Sequence, residues 1–213
     1  MTRVKMCGIT RTEDALVAVA EGAHALGFIF VQSSPRYITP DRASAIIRSL
    51  PPYVSTVGVF VNASRGQILT AMQVSRVSAI QLHGDETPDQ VLGFPCSVTK
   101  AFRVTEKFDP ALMEDYDVAA FLLDAYSPLA YGGTGRTFDW DVARQAAGVR
   151  PVILSGGLTA ENVGEAIHVA NPYAVDVASG IELSPGVKDP SKVRMFMEAV
   201  RLADDRRAAA ARP

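Results

Sequence analysis

A thiol and a carboxyl group each stand at the end of a short apolar segment. Cys7 closes Val4–Cys7 and is followed by Gly8, while Asp124 follows Ala119–Leu123. A thiol can act as a base or a nucleophile when its pKa is lowered, and a positioned carboxyl group can act as a general acid. The alternatives are a small buried hydrophobe for Cys7 and a loop-ordering aspartate for Asp124. The residue types alone leave both interpretations of Cys7 open, and they favour the catalytic one for Asp124.

Two glycine clusters follow apolar segments near the end of the chain, in Leu154–Leu158 and Ala178–Glu182. Glycine lets a backbone N–H group approach a phosphate oxygen closely, and a helix N-terminus adds a favourable dipole. A single cluster is explained by a tight turn. Two clusters in successive loops favour a phosphate site, and we predict that it consists of Gly156, Gly157, Ser179 and Gly180.

Three further polar residues stand at or near the ends of apolar segments. Arg36 follows Pro35, and a guanidinium group suits the bidentate capture of a carboxylate. His83 could contact a substrate or tune a neighbouring group, and Asp176 points either into the fold or toward a ligand. Surface ion pairs and structural hydrogen bonds are the alternatives for each residue taken alone.

A third glycine-rich segment, Tyr131–Thr137, has the wrong spacing for a nucleotide-binding loop, and Arg136 stands where that motif needs lysine. A mobile lid and an ordinary flexible connection explain it equally well. The chain has three histidines but no paired histidine or Cys-x-x-Cys spacing, so we predict neither a metal nor a cofactor.

These residues are placed by short apolar segments that alternate with amphipathic ones eight times. The predicted strands are Val4–Cys7, Ala25–Val31, Thr56–Val61, Ala79–Leu82, Val98–Phe102, Ala119–Leu123, Val152–Leu154 and Ala174–Val177. The predicted helices are Thr12–Glu21, Pro40–Leu50, Arg65–Val74, Thr87–Leu92, Pro110–Glu114, Trp140–Ala147, Ala160–Val169 and Pro190–Asp204. The alternation predicts an α/β fold, a single compact (β/α)8 TIM barrel, with the polar residues at the C-terminal rim of its strands.

Length and composition agree with one compact domain. The chain has 213 residues, a net charge of −2 and two cysteines. We therefore expect a cytoplasmic protein, a monomer or a homodimer, whose partner is a small molecule rather than nucleic acid or a membrane. The barrel should span residues 1–204, and the Ala/Arg-rich tail 205–213 should fray.

Ordered motifs along nearly the whole chain resemble those of the phosphoribosylanthranilate isomerase family. Two departures from the family pattern are Met6, where isoleucine is common, and Arg136, where lysine is common. The matching blocks are Lys5–Thr10, Ser34–Ile38, Val57–Asn62, Gln81–Gly84, Leu123–Asp124, Gly132–Trp140, Leu154–Leu158 and Val175–Glu182.

The resemblance implies an Amadori rearrangement of N-(5-phosphoribosyl)anthranilate to 1-(2-carboxyphenylamino)-1-deoxyribulose 5-phosphate in tryptophan biosynthesis. It implies Asp124 as the general acid that opens the ribose ring and Cys7 as the base that removes the C2 proton. Arg36 would hold the anthranilate carboxylate, and His83 and Asp176 would line the substrate site. The phosphate would bind to the glycine clusters.

Other functions remain as alternatives. A related aminoaldose isomerase of the histidine pathway resembles a barrel with aspartate where this chain has Cys7, and dual specificity is compatible with the sequence. Ribulose-phosphate epimerase is disfavoured because its metal-binding histidines are missing. A phosphate-binding barrel without catalysis, acting as a regulatory or scaffold subunit, is the alternative from a different class.

Overall fold

Eight parallel strands form a closed barrel in the order in which they occur in the chain. The computed structural model describes residues 1–105, 108–124, 143, 148 and 150–210. Strand β8 pairs with β1 and closes the barrel, so the predicted fold is confirmed. The strands are β1 Arg3–Cys7, β2 Ala25–Ile29, β3 Ser55–Phe60, β4 Ala79–Leu82, β5 Ser97–Arg103, β6 Ala120–Asp124, β7 Val152–Ser155 and β8 Ala174–Val177.

The described α-helices cover the outside of the barrel. Two of their N-termini follow from local sequence: the Thr39 side chain accepts a hydrogen bond from Arg42 N before the second helix, and Ser64 and Gln67 form a capping box before the third. The helices are α1 Thr12–Ala20, α2 Pro40–Arg48, α3 Arg65–Ser75, α4 Val163–Ala170 and α5 Pro190–Ala210.

Three predicted helices differ from what the structure contains. The segments after β4 and β5 form single 3-10 turns, Pro88–Val91 and Pro110–Met113, because each is too short for a stable α-helix. Helix α4 begins at Val163 rather than Ala160, because the preceding residues form a turn in which Thr159 N donates to the Asn162 side chain. The predicted helix Trp140–Ala147 lies outside the described residues except for Ala143.

The last helix also ends later than predicted. Helix α5 continues past Asp204 to Ala210, and the Asp204 carboxylate accepts hydrogen bonds from the backbone and side chain of Thr2. Asp204 therefore fastens the helix to the start of the chain instead of ending it. Fraying of the tail stays a prediction.

A small hairpin after β8 is a feature that periodicity did not predict. Strands β9 Glu182–Ser184 and β10 Val187–Lys188 pair antiparallel just beyond the 3-10 turn Ser179–Ile181. The hairpin carries two buried charged side chains, Glu182 and Lys188, toward the C-terminal end of the barrel. It thereby adds charge to the rim where the candidate residues lie.

Strand register brings particular residues side by side at this rim. Lys5 lies opposite Asp176 on β8, and Cys7 lies opposite Gly27 on β2. Side chains alternate between the two faces of a strand, so Lys5 and Cys7 point to the same face. Among the described residues, no helix is long and apolar enough to span a membrane.

Candidate active site

Cys7 ends β1 and is buried between neighbouring strands. A Cβ atom on Gly27 would lie 2.6 Å from the Cys7 sulfur, so β2 needs glycine here to leave room for the thiol. Gly8 has φ of +77°, which lets the chain turn away directly after the cysteine. Burial raises the pKa of Cys7 above its usual value, and the charges of Lys5 and Lys188 offset only part of that shift.

Directly below this thiol, Lys5 and Asp176 form a buried ion pair. The Lys5 ammonium nitrogen lies 2.9 Å from Asp176 Oδ1, and both side chains are only 6% exposed. The contact has the distance of an ion pair but not the angles of a hydrogen bond, so neither atom has a hydrogen-bond partner among the described residues. Burial by itself lowers the pKa of Lys5, but the charge of Asp176 and the interaction with Cys7 raise it above its usual value. Asp176 therefore points into the barrel, one of the two orientations that the sequence allowed.

Arg36 is held by a carboxylate that the sequence did not single out. Its Nε atom donates to both oxygens of Glu182 at 2.9 and 3.1 Å, and its Nη2 atom donates to Oε2 at 2.7 Å. Hydrogen bonds from Arg36, together with the charge of Lys188, outweigh the effect of burial and lower the pKa of Glu182. The fork leaves the Nη1 edge of Arg36 without a hydrogen bond to the described residues.

Lys188 connects the hairpin with the ends of two barrel strands. Its ammonium group donates to Cys7 O at 2.6 Å, to Ala178 O at 3.1 Å and to Glu182 Oε1 at 3.0 Å. Burial lowers the pKa of Lys188, although the charge of Glu182 opposes that shift. Lys188 thus links the ends of β1 and β8 to Glu182, the carboxylate that holds Arg36.

On β4 and β6, three side chains lie in a row, the first two joined by a hydrogen bond and the last two at ion-pair distance. Gln81 Nε2 lies 2.8 Å from His83 Nδ1, and His83 Nε2 lies 3.3 Å from Asp124 Oδ2. Because the Gln81 amide nitrogen faces Nδ1 and an amide nitrogen only donates, we assign the imidazole proton to Nε2, on the side of Asp124. The His83 and Asp124 side chains are 21% and 20% exposed, which leaves them open to a ligand at the barrel mouth.

The loop that carries His83 is fixed by a second buried ion pair. Lys100 on β5 donates to Glu86 Oε2 at 2.8 Å and to Gly84 O at 2.6 Å. The Glu86 carboxylate also accepts from the backbone N–H groups of Gly84 and Asn62. With every one of these groups paired, the residues after β4 have a single arrangement.

The two glycine clusters lie against each other at the ends of β7 and β8. A Cβ atom on Gly180 would overlap the Leu158 carbonyl oxygen, so this close approach needs glycine. Gly156 and Gly157 have φ of +96° and +63°, and a Cβ on Gly157 would meet open space. Within the described part of the chain, the N–H groups of Gly156 and Gly157 have no acceptor.

The candidate residues thus lie at one end of the barrel. Cys7, Asp176 and Arg36 gather on the side of β8, β1 and β2, whereas His83 and Asp124 gather on the side of β4 to β6. The glycine-rich segment 131–137 lies outside the described residues. No cluster of three or more His, Cys, Asp or Glu side chains that could hold a metal occurs in the described ranges.

A surface depression of about 540 Å³ lies at the opposite, N-terminal end of the strands, where Arg3, Val152 and Tyr173 line it. Among the described residues, its lining contains three arginines, Arg3, Arg150 and Arg207, but no carboxylate, thiol or imidazole group. The candidate site is therefore assigned from the thiol, carboxylate and imidazole groups at the C-terminal rim, and not from the size of this depression.

Sequence reasoning missed four supporting residues: Lys5, Gln81, Glu182 and Lys188. Two of them carried a readable signal, since Lys5 and Gln81 are polar residues inside apolar strands, two positions before Cys7 and His83. That spacing places each pair on one face of its strand. The other two depend on the β9–β10 hairpin, for which local periodicity gives no signal.

A closed parallel barrel with a thiol, carboxylates and glycine loops at its C-terminal rim defines an enzyme of the TIM-barrel class. Comparison with known proteins gives the family. A sequence model of N-(5'-phosphoribosyl)anthranilate (PRA) isomerase matches residues 4–199. The chain therefore belongs to the N-(5'-phosphoribosyl)anthranilate isomerase family, and it is an isomerase of the aldose–ketose type that acts in tryptophan biosynthesis.

Individual relatives agree over almost the whole chain. The N-(5'-phosphoribosyl)anthranilate isomerase of Geobacter metallireducens is 52% identical, covering 94% of this chain and 100% of the relative. The crystal structure of the Thermus thermophilus phosphoribosylanthranilate isomerase is 40% identical, with a TM-score of 0.85 over 94% of this chain and 99% of that one. A phosphoribosylanthranilate isomerase in complex with reduced 1-(o-carboxyphenylamino)-1-deoxyribulose 5-phosphate is 40% identical, with a TM-score of 0.80 and the same coverage.

Proposed function

We propose that the Amadori rearrangement of N-(5'-phosphoribosyl)anthranilate takes place across the barrel mouth, between Asp124 as general acid and Cys7 as general base. The observation that carries this assignment is the chemistry around each group. Cys7 has the charged side chains of Lys5, Asp176 and Lys188 around it, and the Asp124 carboxylate lies 3.3 Å from the ring of a partly exposed histidine, His83. Charged and titratable neighbours around both groups support a role in proton transfer.

In the first step, the Asp124 carboxyl group gives its proton to the ribose ring oxygen. The C1–O bond breaks, the nitrogen lone pair forms a C1=N bond, and the ring opens to a cationic Schiff base. His83, with its proton on Nε2, holds the Asp124 carboxylate that remains. Gln81 keeps the imidazole in the tautomer whose Nε2 proton lies on the side of Asp124.

In the second step, the Cys7 thiolate removes the C2 proton. The cationic C1=N group accepts the electron pair, so an enolamine forms without a metal. Protonation at C1 and loss of the proton from the C2 hydroxyl group give the ketone. Holding the substrate at both ends keeps C2 between the two groups, which converts binding into orientation.

The Nη1 edge of Arg36 is the proposed anchor for the anthranilate carboxylate. Glu182 occupies the other edge and fixes the direction of the guanidinium group. A charge-assisted hydrogen bond contributes about 1.5–3 kcal/mol. We therefore expect Arg36→Ala to raise KM by about 10- to 100-fold while kcat changes far less.

Steady-state kinetics with Arg194→Ala as the control measures this effect. Arg194 pairs with Glu21 on the barrel exterior and should leave KM unchanged. A substrate analogue without the carboxylate should bind equally well to Arg36→Ala and to the unaltered protein. An unchanged KM in Arg36→Ala would remove Arg36 from this role.

The N–H groups of Gly156, Gly157, Ser179 and Gly180 are the proposed phosphate donors. We expect Gly180→Ala to weaken binding of the substrate and of inorganic phosphate by about tenfold or more, because the added methyl group pushes this loop away from Leu158. Gly164→Ala is the matched control. Nothing lies near Gly164 in α4, and alanine there stabilises the helix by about 0.5–1 kcal/mol. Equal phosphate affinity in both variants would contradict the phosphate site.

Fluorescence provides the test of the whole proposal. Phosphoribosylanthranilate made in a coupled reaction should disappear rapidly when the purified chain is added, and a failure to consume it would refute the function. An aminoaldose substrate of the histidine pathway, offered in the same way, should react poorly because this barrel has Cys7 in place of an aspartate. We further propose that the enzyme acts in the cytoplasm, as a monomer or a homodimer, and binds no nucleic acid.

A further inference from the structure

We propose that Lys5 is a positioning residue for this reaction: its buried ammonium group, held by Asp176, stabilises the thiolate form of Cys7. The inference rests on the proposed role of Cys7 as base. It also changes the expected role of Asp176, which then acts through Lys5 instead of contacting the substrate.

Strand geometry brings the lysine to the thiol. Lys5 and Cys7 are two positions apart on β1 and point to the same face, and Asp176 stands beside Lys5 on β8 in exact register. The 2.9 Å distance between the Lys5 and Asp176 side chains holds the ammonium group inside the barrel. Lys5 cannot reach solvent from this position.

An ammonium group has three N–H donors and no acceptor. Among the residues that the structure describes, none forms a hydrogen bond of good geometry with the buried Lys5 ammonium group, and the contact with Asp176 is an ion pair only. A buried cation without satisfied donors is costly. A thiolate on Cys7 would supply both the missing acceptor and a second negative charge. Ionisation of the thiol would therefore also give the Lys5 ammonium group a hydrogen-bond partner.

The charged groups around the thiol come from several elements: Lys5 on β1, Asp176 on β8, Lys188 on β10, and Arg36 after β2. Two of the cations have strong partners of their own. Lys188 donates to Glu182 and to two carbonyl oxygens, and Arg36 is forked on Glu182. Lys5 differs from both, because its ammonium group has no hydrogen-bond partner among the described residues, whereas Arg36 has only its Nη1 edge free, on the side proposed for the carboxylate. Lys5 is therefore the one that responds most to ionisation of the sulfur.

The test titrates the sulfur directly. In a Cys96→Ser background, Cys7 is the sole cysteine, and thiolate absorbance in the ultraviolet follows its ionisation without any substrate. We expect Lys5→Met to raise the pKa of Cys7, so that the thiolate fraction at a fixed pH falls about tenfold or more. Asp176→Asn should shift the titration in the opposite direction, because it removes the negative charge that opposes the thiolate.

Lys5→Met leaves Asp176 buried without its partner and could unfold the barrel. The double variant Lys5→Met/Asp176→Asn removes both charges. It leaves no charge of this buried pair without a partner, so the Cys7 titration can be measured in a folded protein. Its Cys7 pKa should lie above that of the unaltered protein and below that of Lys5→Met. Lys100→Met removes a buried lysine of another ion pair and should leave the Cys7 titration unchanged.

Kinetics separates this role from a purely structural one. Lys5→Met should lower kcat at neutral pH by about tenfold, recover activity as the pH rises and keep KM unchanged. An unshifted Cys7 titration, or shifts of the same sign in Lys5→Met and Asp176→Asn, would overturn the proposal. Full activity of Cys7→Ala would instead refute the base assignment, and the substrate-free titration would still report on Lys5.

Discussion

Replacing Cys7 with alanine is expected to lower kcat by about 10²- to 10⁴-fold, the usual contribution of a positioned base. Alanine is smaller than cysteine and fits in the space beside Gly27 that the thiol occupies. The fold and KM should therefore change little. Steady-state kinetics together with thermal unfolding measures both quantities.

Cys96→Ala is the control for this experiment. Cys96 is a half-buried thiol in the connection before β5, at the opposite end of the strands from Cys7. Its removal should leave kcat unchanged. Near-normal turnover of Cys7→Ala would exclude the thiol as the base, whereas equal losses in both variants would point to a general effect of removing a thiol.

Replacing Asp124 with asparagine should be as damaging, for a different step. Asparagine keeps the size of the side chain and can still present an oxygen to His83, but it has no acidic proton to give to the ring oxygen. Ring opening then becomes slow, and we expect a loss of about 10²- to 10⁴-fold in kcat. Asp117→Asn, a change at an exposed surface ion pair, is the control and should have no effect.

Isotopic substitution distinguishes the two steps. With deuterium at C2 of the ribose, residual turnover of Cys7→Ala should show a large primary isotope effect, because proton removal limits the rate. Asp124→Asn should show an effect near unity, since ring opening precedes any cleavage of the C2–H bond. The reverse pattern would exchange the two assignments.

Much of this architecture could be predicted from the sequence because a parallel barrel simplifies the problem. Apolar runs mark the strands, and the residue after each run lies at the same rim whatever its distance along the chain. Cys7 and Asp124 could therefore be placed at one mouth before any coordinates were known. The type and the ends of short elements were predicted less well: the segments after β4 and β5 form single 3-10 turns instead of the expected α-helices.

What the sequence did not reveal was how the candidate residues are paired. Arg36 is forked on Glu182, a contact between residues 146 positions apart that depends on the β9–β10 hairpin. Asp176 was left with two possible orientations, and strand register decided between them by placing Lys5 opposite. Such contacts follow from closure of the barrel and have no local pattern in the chain.

The central claim is that one ribose lies between Cys7 and Asp124. A crystal structure of this chain with the reduced, unreactive form of the product tests it most directly. We predict that the Cys7 sulfur contacts the C2 carbon and that an Asp124 oxygen lies about 2.6–3.2 Å from the C4 hydroxyl, which comes from the ring oxygen of the substrate. A ligand bound in the mouth with either side chain turned away from these atoms would contradict the account.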